Sequence, residues 1–253
     1  MRGVSFPSVW HYACAAGPIL SAAITSHLRG AEEWKAWKYR MFNIDFSSIW
    51  VWITLGAPFL IYLVAAVINF WIYGTVPPIA DFGRSTEFPT WGLLTVGIFQ
   101  ILTFGIGEEG GWRGFLLPAL QDRGISPIRA TVYLTLFWAF WHTPMFFYRE
   151  GYLSLGVGGT VGWLISLFAG AIILTWLYNE TKSVIVTAFF HAAMNVLFTT
   201  PAAAGTVQSV VGAVTMVIAV VLLLVMRKRS LTNQDVNRLI VNYWRGSGVG
   251  AKH

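Results

Sequence analysis

Phe104–Phe115 reads FGIGEEGGWRGF and places two glutamates and an arginine between two apolar runs, Trp91–Ile106 and Phe115–Leu120. An ionisable side chain near a membrane centre costs at least about 2.5–3.5 kcal/mol, which makes it a functional candidate by default. On a helix, Glu109 and Arg113 are four apart on one face, with the acid on the favourable N-terminal side. Glu108 lies about 100° round from Glu109 and cannot join that pairing on its own helix. One carboxylate is therefore expected to be paired, the other free in a dry place and a candidate general base. The plainer alternative is that both acids cap a helix end at the membrane surface.

Working outward, the chain of 253 residues is 56% hydrophobic and 11% charged, with a mean hydropathy of +0.61. A soluble domain is about 25% charged, so the fold class is all-α, a polytopic transmembrane bundle. A span needs roughly 17–25 apolar residues. Seven are read, at about 7–28, 48–74, 90–120, 126–148, 152–179, 183–201 and 205–226. Residues 1–229 form the bundle, with the site-bearing core at about 90–201. A cytoplasmic tail, 230–253, carries a short amphipathic helix at 233–245 and a disordered end. Residues 29–47, with Trp34, Trp37 and Phe42, suit a segment at the membrane interface. Gly107/Gly111, Gly110/Gly114 and Gly158/Gly162 have the spacing that lets helices approach closely. No cleavable signal peptide is expected, since no small-residue cleavage site closes a short N-terminal apolar run.

Of the 17 Lys and Arg, thirteen fall on one side of this layout: Arg29–Arg40, Arg123, Arg129, Lys182 and the residues after span seven. The positive-inside bias then puts the C-terminus in the cytoplasm and the N-terminus outside, as in a plasma-membrane protein. It also accounts for the net charge of +6 without nucleic acid. A single cysteine, Cys14, excludes an internal disulfide and a thiolate zinc cluster.

Three more polar groups sit in apolar helices: His142 in TLFWAFWHTPMFF, and His191 with Asn195 in AFFHAAMNV. Counting about 1.5 Å per residue from the basic ends puts Glu108 roughly 20 Å deep, His142 24 Å, His191 12 Å and Asn195 18 Å. Each alone could be interhelical hydrogen bonding. Together, at matched depth on three helices, they point to one chemical site. Arg113 is read as structural, neutralising Glu109.

E-E-x-x-x-R at Glu108–Arg113, aromatic-x-x-x-His at Trp138–His142 and H-x-x-x-N at His191–Asn195 resemble, in order, the motifs of the CAAX-protease and bacteriocin-processing intramembrane endopeptidases. The resemblance covers about residues 7–201. Trp138 departs from it, standing where the family pattern has Phe and keeping an aromatic wall. Family members usually have eight spans, so seven look like loss of the first. The resemblance implies hydrolysis of a peptide bond in a membrane-associated substrate, prenylated CAAX-like or a leader peptide. Glu108 and His142 would activate water, and His191 with Asn195 would stabilise the oxyanion, with Glu109, Arg113 and Trp138 in support. No cofactor is required by this reading. Zinc held by two His and a Glu is the rival, disfavoured because HExxH is absent and Asn195 is a poor zinc ligand. The site is expected to open towards the cytoplasm. A proton-coupled transporter and a non-catalytic immunity protein are the readings from other classes.

Overall fold

The computed structural model describes residues 9–85 and 88–246, with side chains described from 12 to 230 in those segments. The described residues are helical and form one bundle, with no strand among them. Within segment 7–28 the described residues form two helices, α1 (Val9–Cys14) and α2 (Gly17–Leu28), broken by a turn at Ala15–Ala16 just before Pro18. After α3 (Ala31–Phe42) come α4 (Ile49–Tyr73) and the motif helix α5, which runs through 93–121. The rest are α6 (Pro127–His142), α7 (Gly156–Thr181), α8 (Val184–Thr199) and α9 (Thr206–Gly246). Each segment read as a span contains one or two of these helices. Three stretches, Ile49–Tyr73, Gly156–Thr181 and Thr206–Ser230, are long and apolar enough by themselves to cross a bilayer. Their outer faces present Trp52, Phe59, Trp71, Val157 and Leu224 outwards, as a lipid-facing surface requires.

Helix ends follow local chemistry. α6 stops at His142 because Pro144 cannot continue an α-helix, and Thr143–Phe147 tightens into a 3₁₀ turn. α4 closes on Gly74 at φ 68°, a left-handed cap that glycine adopts without strain. The tail differs from expectation: 233–245 is helical but continues α9 without a break. Residues 247–253, read as a disordered end, lie outside the described residues.

α5 carries the fold. Two stretches of it, Ile101–Glu108 and Trp112–Leu116, are wound as wide π turns, a feature that recurs at functional sites. Two side chains of α3 donate to its backbone: Trp37 Nε1 to the Gly110 carbonyl at 3.1 Å and Arg40 Nε to that of Gly114 at 2.8 Å. Trp37 and Met41 are buried, so residues 31–42 close the basic end of the bundle rather than only lying at its interface. Asn43 and Ser183 fasten that end further, through Asn43 Nδ2 to Thr181 O and Ser183 Oγ to Asn43 O.

Glycines bring α2 and α8 onto α5. A Cβ on Gly107 would stand 2.5 Å from the Ala15 carbonyl, on Gly111 2.5 Å from Pro18, and on Gly105 2.7 Å from the Ala188 carbonyl. Gly107/Gly111 thus mediates the close contact its spacing suggests. Gly158 and Gly162 meet nothing within 4 Å, so that pair mediates none. Gly111→Ala is expected to lower stability by about 1–3 kcal/mol through overpacking. Gly158→Ala should leave it unchanged or slightly raise it. Thermal unfolding of both variants in detergent checks this; equal midpoints would mean that α2 does not sit against Gly111.

Candidate active site

Glu109 and Arg113 are fully buried and paired, Nη1 to Oε1 at 2.8 Å, one helical turn apart as the spacing dictates. Arg113 also donates to the Ala171 carbonyl at 3.5 Å and lies 5.0 Å from the centre of the Trp138 ring. Glu109 has a second partner that its own helix could not reveal. His191 Nδ1 on α8 lies 2.9 Å from the same Oε1. Glu109 is therefore shared between a guanidinium and an imidazole.

The expectation of a free Glu108 is not met. Trp138 Nε1 on α6 donates to Glu108 Oε2 at 2.6 Å. Same-helix geometry can rule out only same-helix partners, and this one comes from across the bundle. Trp138, expected as an aromatic wall, is thus also a donor to the carboxylate. Its ring meets that of His191 edge-on at 5.4 Å.

His142 Nδ1 lies 2.7 Å from the Trp138 carbonyl. A carbonyl only accepts, so Nδ1 carries the proton and Nε2 of the neutral ring keeps its lone pair. The same reasoning applies to His191 against a carboxylate. With Nδ1–H given to Glu109, Nε2 is a donor only when the ring carries a second proton. Asn195, one turn beyond His191, directs Nδ2 at Gln100 Oε1 over 3.4 Å. Gln100 was missed; a lone amide within the apolar 91–106 run was the available signal. Tyr152 and Trp163 were missed as well and flank His142, with ring centres 6.4 and 5.6 Å from it. His27 packs against Trp34 away from the site, while the side chains of His11 and His253 lie outside the described residues.

Glu108, His142, His191 and Asn195 line one cavity of about 920 Å³, together with Gln100 and Trp138. That is within the usual range for ligand sites, about 300–1,000 Å³, and large enough for a peptide segment. Its lining also includes Ser85, Arg149, Tyr152, Thr199, Thr200 and Gln208. No residue of the basic turns lines it. The lining includes residues of the connections opposite the basic turns, while α3 fills the basic end with Trp37 and Met41. Among the described residues no three His, Cys, Asp or Glu side chains are grouped to hold a metal ion.

A helical membrane bundle with carboxylate, imidazole and amide groups around a peptide-sized cavity is the class that fold and site define. Residues 90–197 match the family described as type II CAAX prenyl endopeptidase Rce1-like. The block holds all three motifs. A curated relative, "CAAX prenyl protease 2" of Methanococcus maripaludis, is 26% identical over 185 residues. The match covers 70% of this chain and 66% of that relative, just under two thirds of its length.

The shared carboxylate predicts how its removal acts. Glu109→Ala leaves Arg113 buried without its counter-charge, and Arg113→Ala does the converse. Each should cost about 3–5 kcal/mol, and the double substitution should regain part of that. Denaturation in mixed micelles measures all three; single variants as stable as the parent would mean that the pair is not buried.

Proposed function

We propose that the chain is an intramembrane endopeptidase that hydrolyses a peptide bond of a membrane-associated substrate. The observation that carries this is the single cavity lined by Glu108, His142, His191 and Asn195. Water between Glu108 and His142 loses a proton to that pair as its oxygen attacks the peptide carbonyl carbon. His142 suits this role because its Nε2 is an acceptor. The oxyanion that develops is met by Asn195 Nδ2–H and by His191 Nε2–H in its doubly protonated form, held by Glu109. When the C–N bond breaks, the proton held by the pair passes to the leaving amine. The family match over 90–197 and the name of the Methanococcus maripaludis relative support a prenylated CAAX-like tail as substrate class. A leader peptide fits the same cavity chemistry.

Removing one oxyanion donor typically lowers kcat by about 10²–10³. Asn195→Ala should do so with KM little changed, and Asn195→Asp should be worse, since a carboxylate repels an oxyanion. Glu108→Gln should abolish cleavage in a protein that still folds and inserts. Peptide libraries with and without chelator, read by mass spectrometry beside elemental analysis, separate this mechanism from its zinc-dependent rival. Stoichiometric zinc tracking activity would refute the metal-free version, and full activity of Glu108→Gln would remove its role.

The thirteen Lys and Arg on one face favour a cytoplasmic C-terminus and an outside N-terminus in the plasma membrane. On that orientation the connections around Ser85 and Thr200, which help line the cavity, face outward. In a Cys14→Ser background, Ser85→Cys should then react with a membrane-impermeant maleimide in intact cells, and Gln121→Cys only after permeabilisation. The reverse pattern would turn the mouth to the cytoplasm and decide which membrane-associated chains can enter.

A further inference from the structure

We infer that Trp138 is a positioning residue for the proposed hydrolysis, holding the Glu108 carboxylate through its side chain and the His142 ring through its main chain. This rests on the reading of Glu108 and His142 as the water-activating pair. Two hydrogen bonds carry it. The indole Nε1–H donates to Glu108 Oε2 at 2.6 Å, and the Trp138 carbonyl accepts from His142 Nδ1–H at 2.7 Å. The first crosses between α5 and α6, so it sets how far Glu108 stands from the helix bearing His142. The second lies within α6 and fixes the tautomer that leaves His142 Nε2 as an acceptor.

Trp138 is itself held rigidly. It is buried, its ring lies against the Arg113 guanidinium on one side and the His191 edge on another, and Glu109 binds both of those groups. An indole so packed presents its N–H in one direction. A donor fixed before the substrate arrives places a carboxylate oxygen without reorganisation at the moment of reaction, which is what general-base geometry needs. A phenylalanine at 138 would fill most of the same space and offer no donor. Trp138 is thus the element through which α5 and α6 are brought into catalytic register.

Two replacements separate the hydrogen bond from the bulk of the ring. Trp138→Phe removes the N–H and part of the ring. Benzothienylalanine at 138, with sulfur in place of N–H, keeps the ring's shape. A hydrogen bond to a charged group corresponds to about a 10- to 100-fold effect. In nanodisc-reconstituted full-length protein, with an internally quenched farnesylated CAAX peptide as probe, both variants should lose kcat by about that factor at unchanged KM. Loss in the Phe variant alone would assign the effect to packing and overturn the inference, as would full kcat in both. A second arm needs no turnover. In ¹⁵N-indole spectra of the 13 tryptophans, the signal that vanishes in Trp138→Phe should lie downfield and move upfield in Glu108→Gln. Indifference of that signal to Glu108→Gln would also overturn it. Failure of the parent to cleave the probe would count against the proposed substrate and leave the indole arm to decide on Trp138.

Discussion

A buried guanidinium–carboxylate pair in an apolar bundle is the constraint on which the other features depend. Arg113 and Glu109 are each fully enclosed, and neither charge is tolerable there without the other. Their separation along α5 fixes which face of that helix is polar. The remaining capacity of Glu109 Oε1 then selects the helix that packs opposite, because His191 on α8 completes the cluster. The glycine at 105 lets the α8 backbone come close enough for this, with the Ala188 carbonyl where a side chain would otherwise stand. Charge pairing and close backbone approach therefore enforce the same helix contact.

The motif helix needs outside help to keep its shape. Wide turns such as those at Ile101–Glu108 and Trp112–Leu116 disturb the regular backbone ladder of an α-helix, and water is not available inside a bilayer to repair it. Trp37 and Arg40 of α3 supply donors to Gly110, just before the second of these turns, and to Gly114 within it. Glycine at both positions leaves the carbonyls accessible to side chains from another helix. The same helix closes the basic end of the bundle with Trp37 and Met41, so one element both supports α5 and plugs that end.

The fold class was legible because hydropathy reports the solvent directly: long apolar stretches with few charges have no place outside a bilayer. Within the candidate site, what could be read was whatever a single helix fixes. Glu109 with Arg113, and His191 with Asn195, follow from four-residue spacing alone. The bonds Trp138–Glu108, His191–Glu109 and Gln100–Asn195 join different helices, and their existence depends on packing offsets that no periodicity encodes. Wide turns in α5 alter its angular phase between residues 101 and 116, which degrades cross-helix guesses further. The plugging of the basic end was not legible for a related reason. Depth along a helix says how far a residue lies from each end, not what closes that end. Residues 31–42 have the composition of an interfacial helix, and nothing in their pattern announces that Trp37 and Met41 point into the bundle.

The charge balance of the cluster gives the two glutamates separate roles on the proposed mechanism. Glu109 and Arg113 cancel, and Glu108 would leave the buried group with one net negative charge in a medium that penalises it. A second proton on His191 removes that imbalance. It converts Nε2 from an acceptor, useless to an oxyanion, into a donor. Glu108 is then the negative partner needed to draw a proton from water, while the Glu109–Arg113–His191 trio presents positive charge on the side where the oxyanion forms. Exchanging the two carboxylates would not preserve this. At 109 a carboxylate is committed to Arg113 and His191, and at 108 its hydrogen bond comes from a neutral indole that leaves its charge unneutralised. Adjacent positions on one helix thus hold an acid that organises charge and an acid that uses it, separated by about 100° of helical rotation.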